Sequence, residues 1–266
     1  MSVLSDGRSV PDILQPPPRL RPVTLDAPWA WLRHGWADMW RIPRISLAYG
    51  LAFTAISLTL VTALFVIDMS AVALAMAAGF MLVGPMLAVG MYEASRRLEA
   101  GIPIRLRDVV FVSARSPGQL AFLGAILTAV LLVWMRLATL LFALFFGNAG
   151  FPPLDEFVPT LLLTWHGLGL LIVGTGAGGI LAFATFAISA ISVPMLLASD
   201  RDAVTAVLAS IEAVKRNVWP MLLWGWLVAL LTAFGIATLF IGMAITFPLL
   251  GHATWHAYRA LVVEEN

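Results

Sequence analysis

The chain has 266 residues, of which 61% are hydrophobic and 12% charged, with a formal net charge of +1 and a mean hydropathy of +0.93. A soluble domain is about half apolar and about a quarter charged, and here the apolar runs leave no polar stretch long enough to build a water-solvated core, so a soluble catalytic domain is excluded. The absence of Cys excludes disulfides, thiolate metal sites and Cys nucleophiles. The Arg residues flank apolar segments without forming one basic face, which argues against nucleic acid as a partner.

The first 26 residues carry Pro11, Pro16, Pro17, Pro18 and Pro22 among three Arg and three Asp, a composition that reads as a disordered tail. It has no apolar signal-peptide region, so insertion depends on the first true span. From Asp26, a plausible N-cap with Pro28 in the first turn, Trp29, Leu32, Trp36 and Trp40 recur at helical spacing beside Arg33 and Arg41. Trp favours the headgroup layer and Arg the anionic inner leaflet, so this helix is expected to lie on the cytoplasmic face; the same Trp residues could equally pack under the bundle.

A bilayer core needs about 20 apolar residues per helix, and the runs satisfying this fall near Ile45 to Ile67, Ala71 to Met91, Gln119 to Leu140, Gly169 to Leu197, Pro220 to Ala237 and Leu239 to Tyr258. The predicted architecture is an all-α, polytopic membrane bundle of six spans, forming a single integral membrane domain over residues 27–262. The apolar stretch from Leu161 to Leu197 is too long for one perpendicular helix, and a break is expected near His166, Gly167 and Gly169. Arg8, Arg19, Arg21, Arg33, Arg41 and Arg44 precede the first span. Arg96, Arg97, Arg105, Arg107 and Arg115 lie between the second and third, Arg201, Lys215 and Arg216 between the fourth and fifth, and Arg259 follows the sixth. The other side carries only Asp68, Asp155 and Glu156, so the positive-inside rule predicts a multi-pass inner-membrane protein with both termini in the cytoplasm.

An internal repeat follows from spacing. Arg41, Pro43 and Gly50 are matched by Arg115, Pro117 and Gly124, and by Arg216, Pro220 and Gly225; the second span of each pair then carries Pro85, Pro194 or Pro248. Three units are predicted, covering about residues 27–100, 104–199 and 200–262, each an interfacial helix followed by a two-span hairpin. In the third, Ser199 and Asp202 begin an amphipathic helix ending at Lys215 and Arg216. The three prolines are expected to kink their helices, either simply as packing kinks or around a cytoplasm-facing vestibule.

Few residues carry chemistry. His252 and His256 share a helix face at i,i+4, a spacing that suits a metal or a haem edge. Aligning the units on their prolines places His256 opposite Glu93 and Arg259 opposite Arg96, which favours a structural rim cluster of Glu93, Arg96, His252, His256 and Arg259, with Glu93 paired to His256 or Arg259. No metal and no cofactor is expected. Arg136 lies about 26 Å along its span, near the outer interface, where it can pair with Asp68, Asp155 or Glu156 or meet an anionic ligand or partner. The outer stretch from Leu141 to Trp165, with Pro152, Pro153 and Pro159, is the only large feature on that side. The GxGxxG of Gly174, Gly176 and Gly179 has no strand before it and no water around it, so Gly174 and Gly178 read instead as a helix-packing face.

The segments GPMLAVGMYEASRRLEAG (Gly84 to Gly101), WMRLATLLFALFFG (Trp134 to Gly147) and FPLLGHATWHAYRAL (Phe247 to Leu261) resemble signature stretches of an uncharacterised bacterial family of predicted integral membrane proteins, and the resemblance covers nearly everything after residue 30. It implies a six-span inner-membrane protein with no established activity. Some relatives carry a cytochrome c oxidase label. A haem-copper catalytic subunit needs about six His, mostly inside spans, whereas this chain has His34, His166, His252 and His256; it is not that subunit, although it could accompany one. No carboxylate relay or catalytic set is placed in a span, which disfavours pumps and enzymes. The expected function is a non-catalytic accessory, assembly or scaffold protein, with the bilayer and another inner-membrane complex or a second copy as partners. The alternative is a facilitator or channel for a small neutral or anionic solute.

Overall fold

The computed structural model describes residues 18–67, 69–147 and 154–263, almost wholly as helix. The expectations made for residues 1–17, Asp68, Pro152 and Pro153, and for the Asp155 side chain, fall outside the described residues.

Helix α1 (Ala27–Arg41) starts after Asp26 with Pro28 in its first turn and stops at Ile42, because Pro43 disfavours helical geometry in the residue before it. Trp29, Trp36 and Trp40 are exposed, while Trp31 is buried and stands edge-on to Trp224 at 5.6 Å. The aromatic belt therefore faces outward, and a single Trp anchors the helix to the bundle.

Among the described residues, five helices are long and apolar enough to cross a membrane: Pro43–Val66, Ala75–Glu99, Pro117–Phe146, Trp165–Ala198 and Val218–Ala237. The first is α2 (Pro43–Val66); the second joins α3 (Ser70–Leu87) to α4 (Val89–Glu99). After the short α5 (Leu106–Val110) come α6 (Pro117–Phe146), α7 (Leu154–Leu163), α8 (Trp165–Ser189) with its continuation α9 (Ser192–Ala198), the amphipathic α10 (Ala203–Arg216) and α11 (Val218–Ala237). The break expected near His166 falls at Thr164, one short step earlier, where the Thr164 hydroxyl caps α8 by accepting from the Gly167 N–H at 3.1 Å. Asp202 caps α10 by accepting from the Thr205 N–H at 2.8 Å.

The segment expected as a sixth span forms α12 (Met243–Leu261), which is not among the five apolar helices because His252, His256 and Arg259 lower its hydropathy. Twelve of its nineteen residues are buried. It packs against α1, α2, α4 and α11 and buries more residues than any other helix of the fold. Residues 18–26 differ from the freely solvated tail that composition suggests. Arg19–Leu20 (β1) pairs antiparallel with Val262–Val263 (β2), the Arg21 N–H donates to Leu261 O at 2.9 Å, and the Val23 N–H donates to Asn217 Oδ1 at 2.8 Å. The backbone donors of this polar segment find acceptors at the ends of α12 and α10, which water would otherwise supply.

On α2 the usual polarity is inverted. Its buried residues are Ser46, Gly50 and Thr54, at i, i+4 and i+8, while Leu51, Ile56, Leu58 and Leu60 are exposed. Lipid provides no hydrophobic drive for helix association, so small residues and interhelical hydrogen bonds take that place. A Cβ at Gly50 would overlap the Ala244 carbonyl, the very carbonyl that Pro248, four residues on, cannot bond. Thr54 Oγ1 donates to Phe240 O at 3.0 Å. Tyr49 donates to Leu87 O at 2.7 Å, beside the turn at Ala88 that separates α3 from α4 after Pro85. The turn at residues 190–191 precedes Pro194, and there the Ile191 N–H donates to Ser210 Oγ at 3.2 Å. Helix α12 runs through Pro248 without interruption.

Gly50→Ala is expected to destabilise the detergent-solubilised protein by about 1–3 kcal/mol, as overpacking against backbone does. Gly176→Ala, where an added Cβ meets nothing within 4 Å, should leave the thermal midpoint unchanged.

Candidate functional site

Two features stand out, a buried polar network on the Arg-rich side and an apolar crevice beside it. The network joins α1, α2, α4 and α12. Ser95 Oγ–H donates to Asp38 Oδ2 at 2.8 Å, so its oxygen accepts from His252 Nδ1 at 2.8 Å. This assigns His252 its Nδ1–H tautomer and leaves Nε2 to accept from Ser46 Oγ–H at 3.0 Å. His256 Nε2–H donates to the same Asp38 oxygen at 2.7 Å, and Arg41 approaches Asp38 Oδ1 at 3.5 Å. Ser46 and His252 are fully buried and Asp38 nearly so. Four helices are thus tied by one directional chain of hydrogen bonds ending on a carboxylate.

Burial alone would raise the Asp38 carboxyl, but the hydrogen bonds from His256 and Ser95 outweigh it and hold the group below the usual carboxylate range. The His34 ring lies 5.2 Å from that of His256. Its pKa is lowered, first by burial and then by the neighbouring His256 and Arg33, against an opposing pull from Asp38.

The rim cluster expected from the sequence divides differently. Glu93 is buried but takes its charge partners from its own helix: Arg96 donates through Nε at 2.7 Å and Nη2 at 2.9 Å, and Arg97 through Nε at 2.6 Å. Arg97 also reaches Asp108 at 3.2 Å, tying α4 to α5. His256 is paired with Asp38, and Arg259 donates to Glu99 at 3.0 Å, the carboxylate that also accepts from Trp255 Nε1–H. The pairing of Glu93 with His256 or Arg259 is therefore corrected: arginines three and four residues along the same helix reach Glu93, and Asp38 of α1 occupies the place beside His256.

Both His252 nitrogens and His256 Nε2 are engaged, and among the described residues no group of three or more His, Asp or Glu is placed to hold a metal ion. The Ser46 and His252 contact has the donor and acceptor types of a nucleophile and base, but both are sealed from solvent, so the arrangement acts as a structural lock. Asp38, Ser46, Ser95 and Glu99 are absent from the sequence-derived candidates. The signals that could have found them are an acid on the inner face of α1 and the spacing of Ser46, Gly50 and Thr54.

The crevice has a volume of about 950 Å³ and lies among α3, α6, α8, α11 and α12, with no charged residue in its lining. Gly174 and Gly178 line it on α8, and Pro85 lines it on α3, whereas Pro194 and Pro248 are buried elsewhere. A Cβ at Gly178 would sit 3.0 Å from the Trp134 ring, as would one at Gly79. Trp134 of α6 is thus wedged between α3 and α8, and its indole N–H donates to Ala75 O at 2.8 Å. Arg136, two residues on, is exposed on the flank of α6.

Residues 71–198, from α3 through α9, match the model of a family described as Predicted integral membrane protein (DUF2189), whose function is unknown. The match includes the Gly84 to Gly101 and Trp134 to Gly147 segments and stops short of Phe247 to Leu261. No curated protein and no solved structure matches the chain.

Asp38→Ala leaves Ser95 and His256 without their acceptor and is expected to cost about 2–4 kcal/mol, more than Ser46→Ala, which removes one donor; thermal unfolding in detergent measures the order. Both His34 and Asp38 have folded pKa values below their unfolded ones, so each contribution to stability is present at high pH and lost on acidification. The thermal midpoint should fall between about pH 7 and 5 through His34, and less steeply in His34→Gln.

Proposed function

We propose that this integral membrane protein is a non-catalytic accessory or assembly component of another inner-membrane complex. The observation that carries this reading is closure without a polar path. Where α4, α9 and α12 pack together on the Arg-rich side, Met195, Leu196 and Leu250 belong to one buried core and Met91 is buried against Gly251 of α12, and no charged side chain lines the crevice. A solute that must shed water would find only isolated hydroxyls along such a route. The facilitator reading needs a vestibule bounded by all three kink prolines, and of these only Pro85 borders the crevice, which supports the accessory reading over it. Arg136 and the outward Trp residues of α1 offer contact points to a partner at the two interfaces.

The same proposal includes three repeated hairpins giving six spans, with α12 as the last. Packing follows a cyclic rule that supports it: α1 lies on α12, α5 on α4, and α10 on α8 and α9. The glycine at the matched position in each unit faces the proline-bearing helix of the unit before it: Gly50 meets Ala244, a Cβ at Gly124 would lie 3.0 Å from Met86, and one at Gly225 3.7 Å from Phe186. The Arg distribution supports a cytoplasmic position for the ends of these units and for both termini.

Mass spectrometry of material co-purifying with the tagged protein from its native membrane should find a stoichiometric membrane partner absent from an unrelated six-span control. A solitary protein that carries solute flux in liposomes would overturn the proposal. Since the chain has no Cys, single Cys residues can report topology: Arg115→Cys should react from the cytoplasmic side, Gly147→Cys from the outside, and Leu196→Cys and Leu250→Cys should stay protected.

A further inference from the structure

We propose that the crevice is a binding site for one acyl chain of a membrane phospholipid, held as an integral part of the fold. The inference stands on the shape and chemistry of the crevice and does not depend on the accessory role.

Length comes first. On α8 the lining runs from Leu170 to Ala190, about 30 Å at 1.5 Å per residue, which is the thickness of the hydrocarbon core. Spread over that length, the about 950 Å³ open to the centre of a water molecule gives a mean width of about 6 Å, or about 9 Å between the walls once a water radius of about 1.4 Å is added on each side. A helix with its side chains is about 10–12 Å across, so neither a partner's spanning helix nor a second copy of this chain seats fully within it. An extended hydrocarbon chain does.

The opening points to the bilayer as the source. Helices α8 and α11 touch where the Phe186 ring reaches Gly225 at ordinary van der Waals distance, and the lining residues Thr175, Gly179 and Phe183 of α8 and Trp226 of α11 are exposed. The slot therefore faces sideways, between two apolar helices, where only lipid stands. Most polar lining groups are already used within the protein. Ser189 donates to Thr185 O and Thr254 to Leu250 O, both at 2.7 Å, Thr139 donates to Met135 O at 2.8 Å, and Trp134 donates to Ala75 O. What remains for an occupant is hydrocarbon surface with isolated hydroxyls such as that of Thr175, which suits an alkyl chain and gives a charged headgroup no ionic partner.

Glycines make the site testable. A Cβ at Gly84 or Gly179 meets nothing within 4 Å although both residues line the crevice, so Leu at either position would fill it without striking backbone. Gly176 has the same free space but lies off the crevice. The full-length protein is reconstituted into phosphatidylethanolamine and phosphatidylglycerol vesicles doped with a phosphatidylglycerol that carries a diazirine in one acyl chain, then irradiated and mapped by mass spectrometry. Leu250 of α12 lines the crevice and is 9% exposed, so a lipid chain reaches it through the crevice. Label is expected at Leu250 as well as at the outward Ile180. Gly84→Leu and Gly179→Leu should abolish the Leu250 label and keep the Ile180 label, and Gly176→Leu should change neither. Label confined to outward residues in the unsubstituted protein overturns the proposal, as does Leu250 label that persists in both filled variants. A polypeptide cross-linked at Leu250 in place of lipid overturns it too. The unsubstituted protein decides the question by itself should a filled variant misassemble.

Discussion

The structure depends on the close seating of α12 among its neighbours, made possible by small and polar residues where a soluble protein would place Leu and Val. Gly35 of α1 comes so near α12 that an added Cβ would sit 2.6 Å from the Ala253 nitrogen, and Gly50 of α2 meets the Ala244 carbonyl. Such approach gives dispersion contact between backbones, the attraction left to helices whose apolar side chains gain nothing by leaving lipid. Once α12 is surrounded, its polar groups need partners. The hydrogen-bond chain from Ser46 through His252 and Ser95 to Asp38 supplies them, because an unpaired imidazole in that position would cost more than the whole network gains.

The same constraint accounts for the division of the molecule into a locked layer and an open one. On the Arg-rich side, carboxylates meet cations on neighbouring turns or neighbouring helices, as Glu93 does with Arg96 and Arg97, and Glu99 with Arg259. The helices there are drawn together. Within the apolar slab no such bonds operate between α8 and α11, and Trp134 is wedged between Gly79 and Gly178. The slot beside that wedge is bounded by surfaces that lipid can wet, so nothing compels it to close.

Much of this was legible from residue order. The spans follow from apolar length, and the ends of α2 and α11 fall within about two residues of where hydropathy places them, whereas α6 runs on to Phe146 and the fourth stretch divides into α8 and α9. Pro28 and Pro43 bound α1 as their backbone preferences require, whereas Asp26 precedes it in helical geometry with no side-chain cap. The site was less legible. His252 and His256 are conspicuous because His is scarce in an apolar chain, yet their partner Asp38 lies more than two hundred residues away, on a helix whose Trp residues suggest only an interfacial role. Glu93 was aligned with His256 by repeat position, but alignment says nothing of rotamer reach, and the arginines at i+3 and i+4 were nearer.

Composition and hydropathy alone determined that the chain lives in a membrane as an all-helical bundle, because only helices satisfy the backbone of consecutive apolar residues without water. Which residues meet was left to the tertiary structure. The enclosure of α12, the clasp of residues 19–21 on its C-terminal end, the burial of Asp38 and the sideways crevice arise from contacts between segments far apart in sequence. Their geometry is decided by how closely two backbones can approach, a quantity no single helix carries.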